Sequence, residues 1–162
     1  MREQLEERTN RQLRKTLVFR GIPEADGEKN WQHTENLVAS KIAETLGVTS
    51  DETINMIDRC HRGGNPKYYQ NKNRPIYAAM HSWKQCEDII WTARKKKNIL
   101  VDYKYGPMTS KRRFLALKKR RELIDSGTIV KGHVSYPARL MGKGPNDNRY
   151  KLIEDFSQVD VY

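Results

Sequence analysis

The spacing of apolar residues changes several times along this chain of 162 residues, and each change predicts a secondary-structure element. Alternating or short continuous apolar runs predict strands, whereas apolar residues three and four positions apart predict helices. The expected elements are a strand at 17–23, a helix from Asn30 or Trp31 to Gly47, where the glycine marks the helix end, and strands at 57–62 and 76–80. A helix at 83–97 and a strand at 99–105 follow, and residues 54 and 56 are alternative starts of the second strand. The order β-α-β-β-α-β predicts a split βαβ arrangement.

A second group of elements follows a break at Gly106 and Pro107, where we place a domain boundary. We expect a basic helix at about 109–126, a strand around 133–140, a turn at 144–148 and a last strand at 150–153. Residues 1–13 alternate charges around two leucines, which we interpret as the end of a coiled-coil helix. The predicted organisation is an α+β fold with a helical segment at 1–13, a β-α-β-β-α-β domain at 14–106 and a small α+β domain at 107–162.

Charge narrows the class of ligand. The chain has a formal net charge of +11 and a mean hydropathy of −0.90. A positive surplus of this size on a small protein favours a polyanionic ligand, and nucleic acid is the most common one. No apolar run approaches the roughly 18 residues that a membrane-spanning helix requires, and residues 1–13 lack the apolar core of a signal peptide. We therefore expect a soluble intracellular protein without a membrane partner.

The sequence offers little for catalysis or metal binding. Cys60 and Cys86 lack CxxC spacing, and His61 and His81 do not complete a four-ligand set with them. Neither a Ser/His/Asp set, nor paired catalytic carboxylates, nor a phosphate-binding glycine loop is evident. We therefore predict no enzymatic activity, no cofactor and no metal site.

Two of the predicted strands contain the segments 17–22 (LVFRGI) and 74–80 (RPIYAAM). These segments resemble, as degenerate copies, the first-strand and third-strand signatures of the RNA recognition motif (RRM). Strand alternation places Val18 and Arg20 on the open face of the sheet and turns Tyr77 outward. Because aromatic residues on the open face of this motif stack on RNA bases, Tyr77 is the candidate stacking platform on the sheet.

Five short segments form a longer pattern along the chain: LEER at 5–8 with Arg14, the strand ending GIPE at 21–24, IDRCHR at 57–62, RPI at 74–76 and SYPARL at 135–140. This pattern resembles the RNA-binding protein encoded by the first open reading frame of LINE-type retrotransposons. It implies an atypical RRM-like domain at 14–106, a C-terminal RNA-binding domain at 107–162, and an upstream coiled coil through which the full-length protein self-associates. It also implies a nucleic-acid chaperone that packages the element's RNA into ribonucleoprotein particles, which are expected in the cytoplasm, with the nucleus as the alternative.

The same resemblance implies RNA contacts at individual positions. These positions are Arg14, Arg59, Arg62, Arg112, Arg113, Tyr136 and Arg139. Val18 departs from the family pattern, because relatives often carry a basic residue there. The departure weakens the argument that the sheet face itself binds.

The predicted C-terminal helix is the most basic part of the chain. Residues 111–121 hold seven basic side chains, Lys118 and Lys119 among them. The expected anchoring face consists of Phe114, Leu117 and Ile124. Lys and Arg side chains on a helix displace counterions from phosphates, so we interpret this helix as one that follows a nucleic-acid backbone.

Several of these interpretations have alternatives. Tyr136 precedes Pro137, which favours extended backbone and a ring presented to a base, but a tyrosine at this position is also consistent with a core residue whose hydroxyl is hydrogen-bonded. For Arg59, His61 and Arg62 the alternative is ordinary polarity at the end of a strand. For the whole chain the alternative is a protein–protein adaptor with an RRM fold. We expect single-stranded RNA as the main ligand, single-stranded DNA as a second candidate, and little sequence discrimination.

Overall fold

A computed structural model describes residues 1–24, 28, 30–64 and 73–161 and shows an α+β protein with two antiparallel sheets. The helices are α1 (Arg2–Leu13), α2 (Trp31–Leu46), α3 (Ser50–Ile54), α4 (Trp83–Lys96) and α5 (Pro107–Asp125). The strands are β1 (Thr16–Arg20), β2 (Ile57–Arg62), β3 (Ile76–Met80), β4 (Leu100–Tyr103), β5 (Lys131–Ser135), β6 (Arg139–Lys143) and β7 (Lys151–Asp155). Within the described residues, none of these helices is long and apolar enough to span a membrane.

The chain divides into two compact units. The first unit is Asn10–Lys104, and the second unit is Met1–Thr9 together with the chain from Tyr105 onward. Helix α1 contributes residues to both units.

The first unit contains a four-stranded sheet of order β2-β3-β1-β4, in which all neighbouring strands are antiparallel. Helices α2 and α4 pack on one face of this sheet and bury an apolar core with it. The alternation predicted from the sequence holds, because Leu17 and Phe19 of β1 lie in the core beside Ile76 and Ala78 of β3. The strands and helices expected between residues 17 and 105 are all present, with α3 in addition.

Local signals determine where α2 begins and ends. The side chain of Asn30 accepts a hydrogen bond from the backbone N–H of His33 at 3.1 Å, which satisfies one of the unpaired donors at the helix start. Gly47 has a φ of 71°, the left-handed conformation that glycine adopts most readily, and its N–H donates to the carbonyl of Ala43 at 2.8 Å. Both residues are recognisable as helix boundaries in the sequence.

The short helix α3 was not expected from the sequence. The side chain of Thr49 caps it by accepting a hydrogen bond from the N–H of Glu52 at 3.3 Å. Thr53 is buried, and its hydroxyl donates to the carbonyl of Ala39 in α2 at 2.6 Å. This turn of helix delays β2 to Ile57, the last of the three alternative starts.

Both cysteines are buried free thiols in the first core. Burial raises the pKa of Cys60 to about 12 and that of Cys86 to about 11. Because the thiolate is the reactive and metal-binding form, these side chains act as packing residues at neutral pH. In the part of the chain that the structure describes, no group of three His, Cys, Asp or Glu side chains is placed to hold a metal ion.

The second unit combines α5 with a three-stranded antiparallel sheet of order β5-β6-β7. The single strand expected around 133–140 is wrong: residues 136–138 form a turn, and β5 and β6 pair as a hairpin with Ser135 opposite Arg139. The peptide bond between Tyr136 and Pro137 is cis. The turn expected at 144–148 is confirmed, since the Asp147 carboxylate accepts a hydrogen bond from the N–H of Gly144 at 2.8 Å between β6 and β7.

Helix α1 contributes polar contacts to the start of α5. Glu6 is buried, and its carboxylate accepts a hydrogen bond from the N–H of Thr109 at 2.6 Å. A Cβ atom on Gly106 would lie 2.5 Å from an oxygen of this carboxylate, so a side chain at this position would force the Glu6 carboxylate to move. The expectation that residues 1–13 are the end of a coiled-coil helix did not include this packing role.

Candidate nucleic-acid interface

The face of the first sheet opposite α2 and α4 carries basic and aromatic side chains. His61 of β2 stands directly opposite Tyr77 of β3, and Arg59 lies two positions before His61. Arg20 of β1 stands opposite Leu100 of β4. We call this surface the open sheet face, and it includes Arg20, Arg59, His61, Tyr77, Leu100, Lys104 and one acidic residue, Asp102, which stands opposite Val18.

Tyr77 lies near the middle of the open sheet face, and its ring is held by its neighbours. The Nζ atom of Lys104 is 4.2 Å from the ring centroid, and the His61 ring contacts it edge-on with centroids 5.8 Å apart. A side chain on Gly63 would collide with the ring. Tyr77 points away from the helices as predicted, whereas Val18, also expected on this face, is buried and offers almost no exposed surface.

The expectation that Arg62 contacts RNA is not supported, because its guanidinium is already saturated inside the first unit. Nε and Nη2 donate to the two oxygens of Glu28 at 2.9 and 3.1 Å. Nη1 donates to the carbonyls of Ile22 and Arg74, and Nη2 also donates to that of Pro23. These contacts use all five N–H donors of the side chain, and only 5% of the Arg62 side chain and 4% of the Glu28 side chain are exposed.

The two-residue period of β2 separates Arg62 from its neighbours. Arg62 is aligned with Ile76, on the helix side of the sheet with Cys60. Arg59 and His61 fall on the open sheet face and are exposed. Arg59 and Arg62 are three positions apart, so in a strand with this period they point to opposite faces. The sequence alone could therefore have predicted that only one of them lies on the open sheet face.

The predicted RNA contact at Arg112 of α5 is also not supported, because this side chain is engaged inside the second unit. Its Nη atoms donate to both carboxylate oxygens of Glu3 at 3.0 and 2.6 Å, and its Nε donates to the carbonyl of Val159 at 2.9 Å. The hydrogen bond from Arg112 lowers the pKa of Glu3. Arg112 is buried, so it supports the second unit and does not present its charge to a phosphate.

Arg113 also points into the second unit. Its Nη atoms donate to the carbonyls of Pro137 and Val134, both at 3.2 Å, and its guanidinium lies 4.3 Å from the centroid of the Tyr105 ring. Long arginine side chains can bury their apolar stems when the guanidinium finds acceptors. The carbonyls near the β5–β6 turn supply those acceptors here.

The outward face of α5 differs from the expected one. Phe114 and Leu117, which we expected to anchor the helix, are 66% and 46% exposed, and Ala116 lies inward with the two arginines. The basic side chains that are exposed are Lys111, Lys118, Lys119 and Arg121. The predicted phosphate contacts at Lys118 and Lys119 are therefore sterically possible.

Tyr136 lies at the β5–β6 turn and is 54% exposed, so the core interpretation of this residue is wrong. Its ring stacks on that of Tyr105 with centroids 6.2 Å apart and planes 27° apart. The Arg113 guanidinium packs over the Tyr105 ring, and it therefore helps to hold the ring on which Tyr136 stacks. The sequence interpretation did not include Tyr105, which lies just beyond β4 and carries no motif.

Two further predicted contacts lie in different settings. Arg14 is exposed just after the end of α1. Arg139 is exposed on β6, where its Nε is 3.4 Å from a carboxylate oxygen of Asp155. Asp155 therefore already neutralises part of the charge that Arg139 would offer a phosphate.

Comparison of the sequence with known proteins found no match, either to a protein-family model or to a curated protein. A functional assignment must therefore rest on what the surfaces can do chemically. Exposed lysines and arginines can pair with phosphates, and exposed rings can stack on unpaired bases. The open sheet face carries the exposed Arg20 and Arg59 beside the half-buried Tyr77 ring. Lys104, absent from our predicted set, lies inside the strand expected at 99–105, where alternation turns it to the same side as Leu100.

Proposed function

We propose that this protein binds single-stranded RNA through phosphate contacts and limited base stacking, with little sequence discrimination. The observation that carries the proposal is the open sheet face, where the Tyr77 ring lies between His61 and Lys104 and the same surface carries Arg20 and Arg59. The net charge of +11 supplies the long-range attraction for a polyanion. On this proposal the protein is a binding protein without enzymatic activity or cofactor.

The strand order of the first unit supports an RRM-like assignment. An antiparallel sheet of order β2-β3-β1-β4 with two helices on one face leaves the other face to a ligand, which is how RRM domains bind single strands. We accordingly propose a relationship to the RNA-binding protein of LINE-type retrotransposons. The proposal includes RNA packaging and chaperone activity in cytoplasmic or nuclear particles, and self-association through an upstream coiled coil.

Exposed rings favour single strands over duplexes. In a duplex the base faces are stacked on each other, so an aromatic side chain can reach them only where the strand is unpaired. Tyr136 of the second unit is an exposed ring of this kind, and Tyr77 of the first unit is a half-buried one. Single-stranded DNA has the same phosphates and base faces, so it is the second candidate ligand.

A protein–protein adaptor is the competing function, and one observation favours it. Trp31, Trp83 and Trp91 are all exposed on helices α2 and α4, away from the open sheet face. Exposed tryptophans are enriched among residues that dominate protein–protein binding. The two functions use different surfaces, so substitutions on the open sheet face discriminate between them.

Tyr77→Ala tests the proposed function. We expect it to weaken binding of a fluorescently labelled single-stranded RNA by about 1–3 kcal/mol, the usual contribution of a stacked base, while Tyr77→Phe retains most of the affinity. Affinity is measured by fluorescence anisotropy below the melting temperature of each variant, so that only folded protein is compared. Equal affinities for the wild type and the Ala variant would exclude base stacking on Tyr77, the observation that carries the proposal.

Tyr136→Ala is expected to lower RNA affinity by about 1–3 kcal/mol without changing the slope of affinity against salt, because stacking releases no counterions. The ring is half exposed, so the melting temperature measured by circular dichroism should change little, and Tyr136→Phe is the matched control. A large fall in melting temperature, with normal binding by the folded fraction, would contradict a stacking role for Tyr136.

A further inference from the structure

A second basic and aromatic surface lies on the three-stranded sheet of the second unit. A Cβ atom on Gly132 or Gly142 would lie against Ile129, which is buried, so these two glycines mark the inner face of β5 and β6. Alternation then turns their neighbours to the opposite side. We call that side the outer face, and it includes Lys131, His133, Met141, Lys143, Leu152 and Tyr150, which precedes β7.

Tyr150 is the aromatic element of the outer face. The His133 ring meets the Tyr150 ring edge-on, with centroids 4.6 Å apart and planes 77° apart. The Nζ atom of Lys143 lies 4.6 Å from the centroid of the same ring. Tyr150 is 39% exposed, so the outer face presents a ring bordered by an ammonium and an imidazole, which resembles the arrangement of Lys104 and His61 around Tyr77.

Two like charges face each other on this surface. Lys131 of β5 and Lys143 of β6 are direct cross-strand partners, and like charges at such positions are destabilising. Among the described residues, no carboxylate forms an ion pair with either lysine. The nearby Asp147 carboxylate is already bonded to the N–H of Gly144 and to the Lys151 ammonium. A bound anion would relieve this repulsion.

We propose that the outer face is a second nucleotide-binding subsite for single-stranded nucleic acid. The base stacks on Tyr150 at the ring face that the Lys143 ammonium now occupies, and the adjoining phosphate pairs with Lys131 and Lys143. The identity of the ligand rests on the proposed function, whereas the residues are distinct from those of the open sheet face. Charge complementarity supports this site, because the Tyr150 ring, which is large enough to stack on a base, lies beside the Lys131 and Lys143 ammonium groups, neither of which forms an ion pair with a described residue.

The test is photo-crosslinking of the full chain to a single-stranded oligouridylate that contains 5-iodouridine, followed by mass spectrometry of the crosslinked peptides. We expect a crosslink at Tyr150 in addition to those at the open sheet face. Tyr150→Ala should remove this crosslink and weaken binding roughly five- to one-hundredfold, and Tyr150→Phe should retain both. Binding by Tyr150→Ala equal to that of the wild type, without a wild-type crosslink at Tyr150, would overturn the subsite and leave the proposed function intact.

The two lysines give an independent readout. Lys131→Gln together with Lys143→Gln should reduce the slope of log affinity against log salt by roughly 1.4, two contacts at about 0.7 each. Lys131→Gln alone should leave the melting temperature unchanged or raise it, because it removes a like-charge pair. An unchanged salt slope in the double variant would contradict the phosphate role. Failure of the wild-type chain to bind the oligonucleotide would overturn both the proposed function and this subsite.

Discussion

Replacing Arg62 by methionine is expected to destabilise the first unit by about 3–5 kcal/mol, because it leaves the buried Glu28 carboxylate without its cationic partner. Methionine keeps much of the length and apolar character of the arginine stem, so the effect reports mainly the lost ion pair and hydrogen bonds. The carbonyls of Ile22 and Pro23 lose their donor at the same time. The free energy of unfolding is measured by urea denaturation followed by circular dichroism.

Two comparisons make the Arg62 experiment specific. Arg59→Met changes an exposed arginine of the same strand, so it should alter stability by no more than about 0.5 kcal/mol while reducing the salt slope of RNA binding. Combining Arg62→Met with Glu28→Leu removes both charges and should recover part of the lost stability. If Arg62→Met were as stable as the wild type and bound RNA with a shallower salt slope, Arg62 would be a phosphate contact after all.

RNA affinity is expected to fall by roughly two to three and a half orders of magnitude between 50 and 200 mM salt. This range corresponds to a slope of log affinity against log salt of about −3 to −6, since each phosphate contact on a single strand contributes roughly 0.7. The basic side chains that we expect to contribute are the half-buried Lys104 and the exposed Arg14, Arg20, Arg59, Lys111, Lys118, Lys119 and Arg121. The measurement is a series of anisotropy titrations with one RNA at five or more salt concentrations.

The structure also determines which substitutions should change this slope. Lys118→Gln with Lys119→Gln removes two exposed charges of α5 and should flatten the slope by about 1.4. Arg112→Met is the matched control, because its charge is paired with Glu3 inside the second unit; it should lower stability and leave the slope nearly unchanged. A flat salt response of the wild type would contradict the phosphate-contact mechanism and favour the adaptor.

The sequence determined much of the first unit because the relevant signals are local. The period of two in β1 and β3 placed Leu17 inward and Tyr77 outward, and Gly47 marked the end of α2. These features depend on residues within a few positions of each other, where backbone geometry fixes the side-chain direction. Charge likewise predicted a polyanionic ligand, since net charge is a sum over residues and is independent of fold.

Only the tertiary structure decided which basic residues of α5 are exposed. Arg112 is buried because Glu3, more than a hundred positions away, accepts its hydrogen bonds, whereas Lys118 on the same helix is exposed. The edge-on contact between the His133 and Tyr150 rings likewise depends on the hairpin that divides the strand expected around 133–140 into β5 and β6. A basic side chain on a helix can be buried only where acceptors from distant parts of the chain bind its N–H donors, and it otherwise extends into solvent. The local spacing of residues does not show where those acceptors lie.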